Sequence, residues 1–275
     1  MDVDLVLVPV TVNDQQNRPV VGLSKPDFAL FENAIEQQIR YFSTEDEPIS
    51  LGVLLDVSGS MKNKIETARE AVVEFFKSSH PDDDYFVITF ADDPEVLADS
   101  TRSIGYIQER MTQAKPGGQT ALLDAIYLGM SKMRRARYQR RALLVISDGG
   151  DNHSRYTASE VARLVEEADV QIYAIGIFDK VFRTPEEWGG KRLLTRLTEA
   201  SGGRVLTIGN AAQLPEAAEK ISLELRSQYV LGYAPAHASR DGKWRKLKIQ
   251  VEPSGNAHGE HLHVYARNGY LAPKD

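Results

Sequence analysis

Apolar and polar positions divide the chain into three textures. Residues 1–47 read as short strands: 3–12 is rich in Val and Leu, 13–17 is a polar turn, 28–31 is apolar, and Glu32, Asn33 and Ala34 turn the chain into 35–42. β-branched and aromatic residues broken by turns predict antiparallel pairing. Residues 228–275 return to that texture. Leu247, Ile249 and Val251 alternate with Lys246, Lys248 and Gln250, and Leu262, Val264 and Ala266 alternate with His261, His263 and Tyr265. Alternation of this kind suits strands with one wet face.

Between them, residues 48–227 alternate apolar runs with helical spacing. The run 49–57 is almost continuously apolar, as for a strand buried on both faces. Ile65, Ala68, Val72, Phe75 and Phe76 then recur at helical intervals. Further strands are predicted at 85–90, 95–98 (a short edge strand), 142–147, 170–178 and 204–208. Helices are predicted around Leu122–Met133, from Val161 to Ala168, around Leu193, Leu194 and Leu197, and over 214–225. Alternating strands and helices predict an α/β fold: a doubly wound, mostly parallel six-stranded sheet with helices on both faces. The two end zones are short for separate cores, and chain ends often lie close together. They are therefore expected to form one small antiparallel β-sandwich from 1–47 and 228–275, with 48–227 inserted between them.

Composition adds limits. With 275 residues, 42% hydrophobic and 26% charged, the chain fits a globular protein with a sizeable core. Its net charge of −6 argues against nucleic acid as the main partner. The absence of cysteine excludes disulfides, thiol catalysis and Cys-based zinc sites. No apolar run reaches the ~20 residues that span a bilayer. The start, Met1-Asp2-Val3-Asp4, lacks the basic and apolar regions of a leader. A cytoplasmic protein and an exported one whose leader has been removed both fit.

The candidate chemistry sits where two apolar runs end. The first ends in Asp56-Val57-Ser58-Gly59-Ser60. Alternate side chains of an extended strand point the same way, so Asp56, Ser58 and Ser60 can converge, with Gly59 allowing a bend. The second ends in Asp148-Gly149-Gly150, and between the two lies Gly117-Gly118-Gln119-Thr120 at the start of a helix. If the two strands flank the point where the sheet order reverses, Asp56 and Asp148 face one crevice that Thr120 can reach. A carboxylate with two hydroxyls is hard oxygen chemistry, suited to Mg²⁺.

This pattern resembles the von Willebrand factor A family, whose metal-ion-dependent adhesion site reads Asp-x-Ser-x-Ser, then a distant Thr, then a distant Asp. Asp56, Ser58, Ser60, Thr120 and Asp148 match all five positions, and the likeness covers about 48–227. It implies that Asp56, Ser58 and Ser60 contact the metal, that Thr120 joins in one state of the site, and that Asp148 acts mainly through water. It also implies a coordination position left for a partner's carboxylate. Mg²⁺ is the expected ion, with Mn²⁺ or Ca²⁺ as substitutes. Gly118, Gln119, Gly149 and Asp151 are the expected partner-facing positions. The flanking strands, with Gly22-Leu23, Asp27-Phe28, Phe31-Glu32-Asn33 and Ala266-Arg267-Asn268-Gly269-Tyr270, resemble bacterial relatives with β extensions. Those are often exported, which favours an extracytoplasmic location.

Other features carry plainer readings. Lys132, Arg134, Arg135, Arg137, Arg140 and Arg141 read as a solvated helix end, which the helix dipole favours. His258, His261 and His263 read as solvent-facing and not as a zinc site. Asp92 and Asp93 read as loop residues near the metal face. The expected function is a non-enzymatic, divalent-metal-dependent adhesion module for a protein offering a carboxylate. Nucleic acid, a membrane span and a small-molecule substrate are not expected. One alternative is a scaffold whose metal only stabilises loops; a metal-dependent hydrolase is another. An aspartyl-phosphate enzyme would need a carboxylate where Ser58 stands, and no Gly-x-Ser-x-Gly elbow or phosphate loop frames the serines.

Overall fold

The computed structural model describes residues 5–44, 46–178, 185–235, 240–253 and 261–274, with only the backbone of 185–187. The chain opens with strand β1 (Val6–Asn13), followed by β2 (Phe28–Glu32), β3 (Ile35–Gln37) and β4 (Ile39–Ser43). Then come β5 (Ser50–Asp56), α1 (Ile65–Lys77), β6 (Asp84–Phe90), β7 (Pro94–Thr101), α2 (Ile104–Met111) and α3 (Leu122–Met133). The next elements are β8 (Arg141–Ser147), α4 (Ala158–Glu167), β9 (Gln171–Ile177), α5 (Pro185–Ser201), β10 (Val205–Ile208) and α6 (Leu214–Arg226). The chain closes with β11 (Tyr229–Tyr233), β12 (Trp244–Val251), β13 (His263–Tyr265) and β14 (Gly269–Leu271).

The central sheet runs β10-β9-β8-β5-β6-β7, parallel throughout except for β7, which pairs antiparallel with β6. Every residue of β5 is buried, because helices cover both faces of the sheet. Leu51, Val53 and Leu55 pack with α1 and α6 on one face, while Leu54 packs on the other with Leu122, Ile126 and Met130 of α3. After β5 the chain moves outward to β6 and β7, then returns to place β8 on the other side of β5. The strand order therefore reverses between β5 and β8, the position at which sheets of this kind bind ligands, beyond the carboxyl ends of the strands.

The two ends of the chain form two four-stranded antiparallel sheets, β13-β1-β11-β4 and β14-β12-β2-β3. They enclose a core of Val8, Val10, Val12, Phe28, Leu30, Ile39, Tyr229, Leu231, Tyr233 and Leu247. This is the expected sandwich, with one correction inside it. The run 35–42 reads as one strand but is two: β3 pairs with β2 in one sheet, and β4 crosses to pair with β11 in the other. Strands that turn a corner in this way join the sheets of a sandwich. A second departure is α2, which the sequence pattern did not predict. It buries only Ile107 and Met111, too few apolar positions to register as a helical period.

Among the described residues no helix is long and apolar enough to cross a membrane. Lys132 of the basic cluster pairs with Asp99 at 2.7 Å, while Arg140 is drawn inward and donates to the carbonyl oxygens of Glu47 (2.6 Å) and Leu225 (2.7 Å). Arg140 thus ties down both connections between the sandwich and the central sheet. His261 and His263 are exposed; His258 lies outside the described residues.

Candidate metal centre

The hydrophobic run of β5 fixes Asp56 at the carboxyl end of the central strand, fully buried. The Ser58 backbone N–H donates to Asp56 Oδ1 at 2.8 Å, and the Ser147 hydroxyl donates to Oδ2 at 2.6 Å. Ser147 ends β8 and is itself buried. It is a member of the site that sequence reasoning missed. Its only signal is its position, one residue before Asp148 at the end of an apolar strand.

Beyond Asp56 the chain makes a 3-10 turn, Gly59–Asn63, that leads into α1. The turn carries the two serines toward β8: Ser58 Oγ and Ser60 Oγ share a hydrogen bond at 3.0 Å, and the Ser60 hydroxyl donates to Asp148 Oδ1 at 2.7 Å. Lys64, at the start of α1, forms an ion pair with Asp148 Oδ2. Lys64 is the second residue that the sequence pattern did not flag.

Thr120 arrives on the loop between α2 and α3. The Gly117 N–H donates to the Val57 carbonyl oxygen at 2.8 Å, and the Gly59 N–H to that of Gly118 at 3.1 Å. The loop is thereby bonded to the serine turn. Gly118 has φ +77°, and a Cβ there would stand 2.5 Å from Asp92 Oδ2, so both conformation and space call for glycine. Asp92 holds the loop from outside, with its Oδ1 accepting from the Gln119 N–H at 2.8 Å. On the far side, Asp151 Oδ1 accepts from the Leu123 N–H at 3.1 Å and from the Ser154 hydroxyl. Asp151 therefore caps α3, and its Oδ1 is engaged there. Gly149 is half-buried, while Ser60, Gly118 and Gln119 are exposed. The structure thus brings Asp56, Ser58, Ser60 and Asp148 into one hydrogen-bonded cluster and ties the Thr120 loop to it.

Burial dominates the electrostatics. Desolvation raises the Asp56 pKa to about 6, opposed by the hydrogen bonds from Ser147 and Ser58 and reinforced by the like charge of Asp148. Among the described residues Asp56 has no ion pair, so its charge lacks a direct counter-charge. Two carboxylates with hydroxyls beside them form the oxygen-only set that Mg²⁺ or Ca²⁺ takes. Among the described residues no group of three or more His, Asp or Glu is placed to hold a metal ion, so the candidate set here relies on hydroxyl oxygens beside only two carboxylates.

Residues 51–150 match the sequence profile of the von Willebrand factor type A domain. The chain contains a von Willebrand factor type A domain. The profile spans the Asp56–Ser60 turn, Thr120 and Asp148. A protein of Borreliella burgdorferi is 25% identical over 135 residues, covering 46% of this chain and 39% of that protein, so the match spans about two fifths of the relative's length. A von Willebrand factor type A structure from Catenulispora acidiphila superposes over 96% of this chain and 73% of its own, with TM-score 0.57 and 13% identity. An aerotolerance-related membrane protein from Bacteroides fragilis covers 63% of this chain and 98% of its own, with TM-score 0.52 and 18% identity. These likenesses establish the fold. The likeness to the Catenulispora acidiphila structure, over 96% of this chain, extends well past residues 51–150 into the terminal sheets.

Proposed function

We propose that this chain is a protein-binding module whose type A domain holds one divalent cation, Mg²⁺, through Asp56, Ser58, Ser60, Thr120 and Asp148. A bound dication would supply an electrophilic position for a carboxylate oxygen from a protein partner. Asp56 carries the negative charge at the base of the site. Ser58 and Ser60 offer neutral oxygens. The loop holding Thr120 is anchored by Asp92 and by the serine turn.

The observation that carries this reading is the convergence of the Asp56–Ser60 turn and Asp148 at the reversal point of the sheet, joined by the Ser60–Asp148 hydrogen bond. A cage with two carboxylates, one of them ion-paired to Lys64, leaves a dication under-neutralised and receptive to an outside anion. Binding is favoured over hydrolysis because, among the described residues, no histidine hydrogen-bonds to Ser58 or Ser60 to act as a base. An extracytoplasmic setting, where free Mg²⁺ and Ca²⁺ are plentiful, suits such a site.

The test has two stages. Calorimetric titration with MgCl₂ is expected to show one site in the wild type and none in Asp56→Ala. Capture of partners from a native lysate is then expected to depend on Mg²⁺ and to be lost in chelator. Metal binding with partner capture unaffected by chelator would leave only a loop-stabilising role for the ion.

A further inference from the structure

Asp148 is buried, and both of its oxygens are engaged. Oδ1 accepts from Ser60 and Oδ2 is paired with the Lys64 ammonium. The root of that lysine is fixed. Its N–H donates to the Met61 carbonyl at 2.8 Å, its own carbonyl accepts from the Ala68 N–H at 3.0 Å, and Met61 and Ile65 on either side are buried. The ammonium is therefore delivered from a rigid turn and not from a freely moving surface chain. The Lys64 side chain is 32% exposed and that of Asp148 1%, so the pair lies at the boundary between the buried carboxylates and the open side of the site.

The other nearby acids are turned to different tasks. Asp92 accepts from Gln119, Asp93 pairs with Arg155 at 2.6 Å, and Asp151 caps α3. Lys62, the neighbouring lysine, is exposed and has no ion pair among the described residues. The formal charge of the donor set is then −2 from Asp56 and Asp148, raised to −1 by Lys64.

We propose that Lys64 is a tethered counter-ion that sets the affinity of the site for divalent cations, competing for Asp148 and keeping the bound ion exchangeable. This inference rests on the metal-binding reading above. A fixed ammonium beside a dication repels it, and it withholds part of the Asp148 charge that would otherwise attract the ion. At the effective dielectric of a partly exposed site, removing one such charge is worth about tenfold or more in affinity. The same charge has a second effect. A loaded site carries a net +1 with Lys64 present and is neutral without it, so the lysine trades metal affinity for attraction of an anionic partner.

The test is titration of the full chain with MgCl₂ and MnCl₂ in four forms: wild type, Lys64→Met, Lys64→Arg and Asp56→Ala. Thermal unfolding with and without metal accompanies it. Lys64→Met is expected to bind about tenfold tighter or more, and Lys64→Arg to stay near the wild type. In chelator, Lys64→Met is expected to melt lower, because Asp148 loses its counter-charge, and to gain more from added Mg²⁺ than the wild type does. Lys64→Gln, which keeps a polar tip, covers the case in which methionine disturbs the turn. Equal or weaker binding in both Met and Gln variants, with binding still abolished in Asp56→Ala, overturns the role of Lys64 and leaves the metal site standing. Absence of binding in every form overturns the metal site and this inference together.

Discussion

The Thr120 N–H donates to Asn152 Oδ1 at 2.8 Å, and the Asn152 N–H returns to the Thr120 carbonyl oxygen at 3.0 Å. This two-point clamp joins the loop that carries Thr120 to the segment that follows Asp148. Asn152→Ala removes one of the two bonds and leaves the backbone bond in place. It is expected to weaken Mg²⁺ binding about fivefold and to destabilise the fold by about 1 kcal/mol, the usual net worth of such a bond. Calorimetric titration and urea unfolding read the two effects separately. Unchanged metal affinity would show that the Asn152 side chain is not needed to hold Thr120, the remaining backbone bonds, Asp92 and the serine turn being sufficient.

Two adjacent glycines of α5 make opposite predictions. A Cβ at Gly190 would lie 2.7 Å from both the Gly149 carbonyl oxygen and Gly150 Cα, so α5 presses directly on the turn after Asp148. A Cβ at Gly189 would meet nothing within 4 Å. Gly190→Ala is expected to destabilise by about 1–3 kcal/mol, as overpacking against backbone does. Gly189→Ala is expected to stabilise the helix by about 0.5–1 kcal/mol. Melting curves of the two variants settle the comparison, and similar behaviour of both would contradict the close approach of α5 to the site.

The parts of this architecture that the sequence reveals are those written locally. A strand buried on both faces, such as β5, must be apolar at every position, and its end is marked by the first run of polar side chains, Asp56, Ser58 and Ser60. What stays hidden is pairing between distant positions. Asp151 reads as an exposed residue near the crevice; its part in capping α3 depends on Leu123, 28 positions away. Lys64 reads as one more surface lysine ahead of an amphipathic helix, and only the return of the chain at β8 supplies Asp148. The split between β3 and β4 is similarly invisible, because both halves of the run 35–42 have strand composition and the partner that separates them, β11, lies almost 200 residues later.

The raised pKa of Asp56 fixes the direction of a pH effect. Burial favours the protonated acid in the folded state, so the stability associated with this group is fully present below the unfolded value of 3.8 and is lost as pH rises through about 6. In chelator, Asp56→Asn removes this liability. Its stability relative to the wild type is expected to rise by roughly 2 kcal/mol between about pH 4 and about pH 7. If the site holds Mg²⁺ as proposed, the sign is expected to reverse for the wild type in its presence, because ion and proton would compete for the same carboxylate and affinity would weaken below about pH 6. Urea unfolding of both proteins across this range, with and without Mg²⁺, measures both trends. A constant difference between wild type and Asp56→Asn in chelator would show that the carboxylate ionises without penalty.

The junction between the sandwich and the type A domain rests on a buried ion pair, and its energetics can be separated from those of the candidate metal site. Arg204, which precedes β10, pairs with Glu224 of α6. Glu224 also accepts from the Asn13 Nδ2 of β1 at 3.1 Å, while Arg204 donates to Asn17 Oδ1 at 3.0 Å and lies over the Tyr265 ring. Beside this pair, the Gln228 side-chain amide donates to Gln171 at 3.0 Å and to Thr11 and Tyr173 at 3.2 Å each. A buried pair is expensive to break and inexpensive to replace, since its charges have given up water for each other. Glu224→Ala, which strands the Arg204 charge, is therefore expected to lose about 3–5 kcal/mol in urea unfolding. The double variant Arg204→Met with Glu224→Leu is expected to lose less than Glu224→Ala alone. If both proteins lose the same amount, the contribution of Glu224 lies in its bond to Asn13 and not in neutralising Arg204. Because the network crosses from one layer to the other, the wild type is expected to unfold in a single transition. Separate transitions for the sandwich and the type A domain would show that these bonds do not couple the two.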